Sequence, residues 1–229
     1  MRTEHRQTNL QLGSYLYLPA ARSFTLFRWF AGYRIYNREY LATIKNHGTW
    51  LVVANHTSGI DSFLISSLFS QRICWVTNIT IHQREYFTEK IDHSLPWLPC
   101  RLRLLLASFC AHVIQNCDTV LVDRTQPKVS LRALGKAASD LRAGKLVGIF
   151  PEGGIRHKLT KPSLTIPTLL LHQVPSVSGI VQIHVCHQKR EITIYSPMSR
   201  DEILDKKRLT GSAQQLIISR LQGESLDSG

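Results

Sequence analysis

Between Thr49 and Ala54 the chain reads TWLVVA, and the residue that follows is a polar asparagine. A short apolar run rich in β-branched and aromatic side chains, cut off by turn residues, predicts a buried strand. The same signature recurs at Ile73–Thr77, Thr119–Val122, Leu146–Phe150, Val177–Val185 and Glu191–Tyr195. Helical spacing lies between these runs. Ser62–Phe69 is one such segment. Val129–Arg142 is another, with Leu131, Leu134, Ala138 and Leu141 on one face and Gly144 where a C-terminal cap belongs. Asp201–Gln222 is a third, with Asp201 as N-cap and Gly211 as a weak point. Strands alternating with helices predict an α/β fold: a mixed, largely parallel sheet flanked by helices.

At 229 residues the chain is long enough for one domain, or one domain with an appendage. Hydrophobic residues make up 43% and charged residues 19%, which excludes disorder as the main state. The five cysteines are odd in number, scattered and free of any Cys-x-x-Cys, a pattern of reduced thiols and not of a disulfide framework. The charge is more telling. The 28 Lys and Arg against 16 Asp and Glu leave a net charge of +12, which calls for a negatively charged partner. Nucleic acid, an anionic membrane surface and an acidic substrate all qualify on charge alone.

Met1–Leu10 is polar with no apolar stretch behind it, so no secretory signal is expected. Pro162–Gln188 is free of charged residues, but its three prolines and the strand pattern within it predict folded core and not a membrane span. Tyr15–Tyr36 carries eight aromatics with Arg22, Arg28 and Arg34 among them, and Leu95–Val113 carries Arg101 and Arg103. Aromatics beside arginine suit a membrane interface, and the arginines are expected to face anionic headgroups. An ordinary core helix is the other reading of both segments. The expected organisation is an N-terminal membrane-associating helical segment over residues 1–45 and a catalytic domain over 46–229.

The TWLVVA run leads directly into Asn55-His56-Thr57-Ser58-Gly59-Ile60-Asp61. On a continuous helix His56 and Asp61 would point about 140° apart, so they meet only across a turn, and Thr-Ser-Gly supplies one. His56 then sits just past a strand's carboxyl end, where open α/β sheets bind ligands. A histidine held by an aspartate is a general base with a fixed tautomer. The same residues also read as a capping box, with Ser58 as N-cap and Asp61 three residues on. No Gly-x-Ser-x-Gly elbow supplies a nucleophile, which leaves the substrate's own hydroxyl. A second polar loop, Phe150-Pro151-Glu152-Gly153-Gly154-Ile155-Arg156, also follows a strand. Its glycines allow close backbone approach and its arginine can clamp a phosphate, although a plain Pro-Gly turn gives the same pattern. Asp123-Arg124 follows a third strand. In the alternating strand near His184-Val185-Cys186-His187 only His184 and Cys186 share a face, too few to hold a metal.

In this order and at these separations, the motifs resemble those of the glycerolipid acyltransferases, specifically the 1-acylglycerol-3-phosphate (lysophosphatidate) acyltransferases. Asn55–Asp61 is similar to the first family motif, Asp123-Arg124 to the core of the second, Phe150–Gly153 to the start of the third and Val174–Val177 to the fourth. The resemblance spans about Trp50 to Met198. It implies that His56 takes the proton of an acceptor hydroxyl while Asp61 orients it, and that backbone N–H groups near the motifs stabilise the oxyanion. It further implies that Arg124, Glu152, Gly153, Gly154 and Arg156 bind the acceptor's phosphate, that the acyl donor is acyl-CoA or acyl carrier protein, and that no metal or other cofactor takes part. The implied setting is the cytoplasmic face of the inner membrane, peripheral or monotopic, with no nucleic acid as partner.

The sequence departs from the family pattern in two places. Arg156 falls one residue late, after Gly154-Ile155 where the family has a threonine, and Ser178 stands where a second proline is usual. The expected reaction is acyl transfer from a thioester to a lysophospholipid, 1-acylglycerol-3-phosphate giving phosphatidic acid. A thioesterase or lipid hydrolase using the same histidine, and a non-catalytic basic lipid-binding module, are the alternatives.

Overall fold

The computed structural model describes residues 23–46, 48–78, 85, 88–89, 92, 99–105, 107–108, 119–122, 127–153, 162–205 and 208–223. Its strands are β1 (Arg34–Tyr36), β2 (Thr49–Ala54), β3 (Ile73–Asn78), β4 (Val120–Val122), β5 (Leu146–Ile149), β6 (Val177–Cys186), β7 (Glu191–Ile194) and β8 (Met198–Ser199), followed by a small hairpin of β9 (Leu204–Asp205) and β10 (Arg208–Leu209). The helices are α1 (Tyr40–Asn46), α2 (Asp61–Ser66), α3 (Pro127–Arg142), α4 (Thr165–Gln173), α5 (Arg200–Ile203) and α6 (Gly211–Gln222). Residues 23–30 are also helical.

The main sheet runs β1-β7-β6-β2-β5-β3-β4, with β8 attached to β6. The expected mixed, largely parallel architecture is borne out. β2 pairs parallel with both β5 and β6, β3 with both β5 and β4, and β1 with β7, while β6–β7 and β6–β8 are antiparallel. Strand β2 is buried along its whole length because both faces of the sheet are covered. Leu51 and Val53 face a core built with α3, α4 and α6. Trp50, Val52 and Ala54 face the opposite core, which takes in Ile44 of α1 and Leu64 and Ile65 of α2. This alternation is the period-two consequence of an extended chain.

Three sequence expectations are corrected. In α3, Leu131 is 65% exposed; the buried stripe is Ala133, Leu134, Ala137, Ala138 and Leu141, a face set by the i, i+3, i+4 spacing of the alanines. The single helix expected over Asp201–Gln222 is broken. Ser199, not Asp201, caps α5 in a full capping box with Glu202, and Thr210 caps α6 by accepting from the Ala213 amide. Ile203 and Leu209 are buried at the two ends of the β9–β10 hairpin, and this anchoring favours an excursion over a continuous helix. Gly211 is therefore the first residue of α6 and not a defect inside it. Finally, residues 34–45, expected in the N-terminal segment, join the main body: β1 extends the sheet and Ile44 lies in its core. Gly144, at φ +80°, takes the left-handed conformation expected of a helix cap.

Of the segment Tyr15–Tyr36, residues 15–22 lie outside the described residues, as does much of Leu95–Val113. Among the described residues, no helix is long and apolar enough to cross a membrane. The helical segment 23–30 packs on α2 through Phe24, stacked on Phe63 at 4.7 Å. Arg28 donates to Ser67 Oγ at 3.0 Å and Arg103 pairs with Asp92 at 2.8 Å, so these two arginines also answer protein groups.

Candidate active site

The topology brings four chain segments to one edge of the sheet. β2 lies between β5 and β6 and runs parallel to both, so the residues after the three strands emerge side by side. Those residues are His56, the Phe150–Gly153 turn and His187. Strand β1 starts at the same edge, because it is parallel to β7 and β7 runs back along β6; Tyr33 lies just before it. The helix 23–30 ends short of Tyr33, where Gly32 turns left-handed at φ +72°.

β6 outruns β2 at this edge, and the last paired residues are Ala54 and Ile183. Asn55, nearly fully buried, continues the ladder with its side chain. Its Nδ2 donates to the Val185 carbonyl at 2.9 Å, and its Oδ1 accepts from the Val185 amide at 2.7 Å. An amide side chain reproduces the donor and acceptor of a peptide group, which explains an asparagine here. Asn55 thereby locks the end of β6, and with it His187, to the start of the His56 loop.

Asp61 is the centre of the site and has no solvent exposure. It is the first residue of α2, and the residue before the helix, Ile60, caps nothing through its side chain. The expected capping box is half made: the Ser58 amide donates to the Asp61 carboxylate, while the Asp61 amide finds the Ser58 carbonyl instead of its hydroxyl. The carboxylate takes more than a cap requires. Its Oδ2 accepts from the amides of Thr57 and Ser58, both at 2.7 Å, and lies 3.2 Å from His56 Nδ1. Its Oδ1 lies 2.6 Å from His187 Nε2. Burial works to raise the Asp61 pKa, but the hydrogen bonds from His187, His56 and the Ser58 amide outweigh it and hold the carboxyl below the usual aspartate range. Asp61 is thus an anion at neutral pH, held in place by four donors.

His56 is fixed from two further sides. Its ring stacks on Phe150 at 4.1 Å, and Phe150 stacks on Trp75 at 4.4 Å. Trp75 fits because position 148 is glycine, where a Cβ would come within 2.5 Å of the indole. The indole N–H donates to Ser66 Oγ in α2, which ties the stack back to the helix that begins with Asp61. The backbone amide of His56 donates to Glu152 Oε2 at 2.6 Å. With Nδ1 committed to Asp61, the opposite ring nitrogen, Nε2, is the one left to accept a substrate proton.

The sequence-predicted residues are placed as follows. His56 and Asp61 meet as expected. Glu152 is buried beneath the His56 amide, a brace for the loop where a contact to substrate phosphate was expected. Gly153 closes the turn, donating to the Phe150 carbonyl at a left-handed φ of +68° that glycine adopts without strain. Arg124, Gly154 and Arg156 lie outside the described residues, as does Asp123. The amides of residues 56–58, closest to the first motif, serve Glu152 and Asp61 and are not available to an oxyanion.

Two residues of the cluster escaped sequence reasoning. His187 is the first residue past β6, and Tyr33 hydrogen-bonds its Nδ1 at 2.5 Å. Strand alternation sorts His184 from His187 correctly, but the alternation ends where the strand ends. His184 faces away, against Gly223 at the end of α6. Tyr33 was hidden inside an aromatic segment read as one helix; Gly32 was the signal that the helix stops.

A family model described as Acyltransferase matches residues 33–196. The crystal structure of the 1-acyl-sn-glycerophosphate (LPA) acyltransferase PlsC from Thermotoga maritima aligns with a TM-score of 0.52 at 15% identity, covering 100% of this chain and 86% of that one. At that identity the likeness establishes a common fold. No curated protein sequence matches the chain. The family match begins at Tyr33, runs through His56, Asp61 and His187, and ends after β7, so it encloses the whole polar cluster. It covers well over half of the residues, and the chain belongs to the acyltransferase family.

Proposed function

We propose that this acyltransferase moves a fatty acyl group from an acyl thioester to the hydroxyl of a lysophospholipid, with 1-acylglycerol-3-phosphate giving phosphatidic acid. The observation that carries the reading is the pairing of His56 Nδ1 with a buried, ionised Asp61 at the carboxyl edge of the sheet. This leaves Nε2 as the basic nitrogen. His56 Nε2 takes the acceptor's hydroxyl proton as the oxygen attacks the thioester carbonyl and the new C–O bond forms. The tetrahedral oxyanion collapses, the C–S bond breaks, and the imidazolium returns its proton to the departing thiolate. Protons and electrons balance in this sequence without a metal or other cofactor.

Acyl-CoA or acyl carrier protein is the donor. Arg124 and Arg156, with Gly153 and Gly154, hold the acceptor phosphate, while Glu152 supports the loop through the His56 amide. Leu26, Phe27, Trp29 and Phe30 are exposed on the segment 23–30, and Leu102 and Leu105 are exposed as well. An apolar surface of this kind on a protein of charge +12 suits peripheral residence on an anionic leaflet, the cytoplasmic face of the inner membrane.

The test is transfer from a labelled acyl thioester to a panel of lysolipids, with wild type beside His56→Ala. Wild-type conversion of lysophosphatidate that falls by about 10²–10⁴-fold in the variant is the expected result. Equal rates would remove His56 from the mechanism. Thiol release without acylated lipid would make the protein a thioesterase, and lipid binding without turnover a binding module.

A further inference from the structure

Asp61 serves two histidines, and acyl transfer as written uses one. We propose that His187, held by Tyr33, is a positioning residue for the transfer: its donation to Asp61 Oδ1 fixes the carboxylate that orients His56. The inference rests on the reading of His56 as the base.

The hydrogen-bond chain admits one proton order when both rings are neutral. Asp61 is an acceptor on both oxygens, so His56 carries its proton on Nδ1 and His187 carries its proton on Nε2. His187 Nδ1 is then an acceptor, and the Tyr33 hydroxyl must donate to it. Burial, followed by the nearby Asp61 charge, pushes the Tyr33 pKa above its ordinary value, so the phenol keeps the proton it needs to give. Tyr33 sets the His187 tautomer, His187 sets the Asp61 carboxylate, and Asp61 sets His56. A neutral donor on Oδ1 draws negative charge away from Oδ2, which weakens the pull of Asp61 on a protonated His56. Among the described residues, the charged and titratable groups near this chain include Glu152 beneath the His56 amide, Cys186 and Arg190 near Tyr33, and, on the far side, His184, which feels the charges of Asp61, Lys189 and Glu191. His187 bonds to Oδ1, whereas His56 and the amides of Thr57 and Ser58 all converge on Oδ2.

The test compares wild type with His187→Ala, His187→Gln and Tyr33→Phe, using a labelled acyl thioester and lysophosphatidate. The glutamine amide nitrogen reaches about as far as imidazole Nε2 and restores the donor. For His187→Ala, kcat should fall by about 10- to 100-fold, the worth of one charge-assisted hydrogen bond, with KM for both substrates unchanged. The acidic limb of its kcat/KM profile should move to higher pH, because Asp61 then holds the proton on His56 more strongly. His187→Gln should recover most of the rate and the wild-type profile, and Tyr33→Phe should show a smaller loss in the same direction. A structural defect alone would lower the rate without moving the profile; that outcome, or His187→Gln no better than His187→Ala, overturns the proposal. Nitrogen NMR of the wild-type rings decides it without turnover. His187 protonated on Nε2 and His56 on Nδ1 are expected, and His187 protonated on Nδ1 would overturn it. If His187→Ala does not fold, the other two variants and the spectra carry the decision. A wild type that acylates no lysolipid sinks the acyl-transfer reading, while the spectra still rule on the proton order.

Discussion

The carboxyl edge of the sheet and the outer face of residues 23–30 break opposite rules of folding. At the edge a carboxylate with no solvent exposure sits under two amides and two imidazoles. On the outer face Trp29 and Phe30 are 73% and 78% exposed. A chain selected only for stability would exchange these environments, putting the charge in water and the aromatics in the core. The two regions also fail differently. A buried, fully bonded charge is cooperative, so removal of one partner is felt by all. An exposed apolar face is additive, and its residues can be removed singly with little effect on the fold. Exceptions of this kind are where function is sought, and these two call for different tests.

The largest effect is expected at Asp61. In Asp61→Asn the amide oxygen would be drawn to the Oδ2 position, where the Thr57 and Ser58 amides and His56 all donate. The NH₂ group would then face His187, which must change tautomer to accept from it. His56 would keep its place but lose the anion that stabilises its protonated form, and kcat should drop roughly 10³–10⁴-fold, as happens when a triad acid becomes an amide. Stability offers a second reading. The Asp61 pKa is lower in the folded protein than in the unfolded chain, so its contribution is present above the ordinary aspartate value of about 3.9 and is lost as pH falls through the folded value. Denaturant titrations from neutral pH downward should show wild type losing stability below about pH 4 and the asparagine variant losing less. Parallel curves would mean that Asp61 is not the strongly bonded group described.

How much of this edge was legible depends on sequence distance. His56 and Asp61 are five residues apart across a turn-forming Thr-Ser-Gly, next to a strand whose composition admits one reading. Their meeting followed from local rules. The contacts of His187 with Asp61 and of Tyr33 with His187 cross 126 and 154 positions, and they exist only because β6 is parallel to β2 while β7 returns beside β1. No local pattern encodes that order. The face of α3 was misassigned at Leu131 for a related reason: leucine outweighs alanine in hydrophobicity, but α3 packs closely against the sheet through Ala133 and Ala137. The break before α6 was missed because Ile203 and Leu209 are anchored through a hairpin of two residues per strand, too short to leave a strand pattern in the sequence.

A middle-sized effect is expected where fold and site share an aromatic stack. A Cβ at position 148 would lie 2.5 Å from Trp75 and 2.8 Å from Ile73. Gly148→Ala should therefore displace Trp75, and with it Phe150 and the His56 ring. Overpacking of this kind costs about 1–3 kcal/mol, which a shift in the denaturation midpoint will measure. The rate should fall with it, because His56 rests on the displaced ring. Lost stability with an unchanged rate would show that Asp61 alone positions the base.

The smallest effect on the fold, and the sharpest contrast with the edge, is expected from Trp29→Ser with Phe30→Ser. Neither ring covers the core, so the melting curve should stay within about 0.5 kcal/mol of wild type. In sedimentation with vesicles containing anionic phospholipid, each aromatic that enters the interface contributes up to about 1.5–3 kcal/mol, so the double variant should bind at least tenfold more weakly. Added salt should weaken both proteins in proportion, because the lysines and arginines supply a separate, screened attraction. Turnover of a short-chain, water-soluble acceptor should be unchanged, since Phe24 and Arg28 still hold the segment to α2 through Phe63 and Ser67. If the variant binds vesicles as wild type does, the exposed face serves some other partner. If it binds normally but melts early, the aromatics are structural, and the two regions obey the same rule after all.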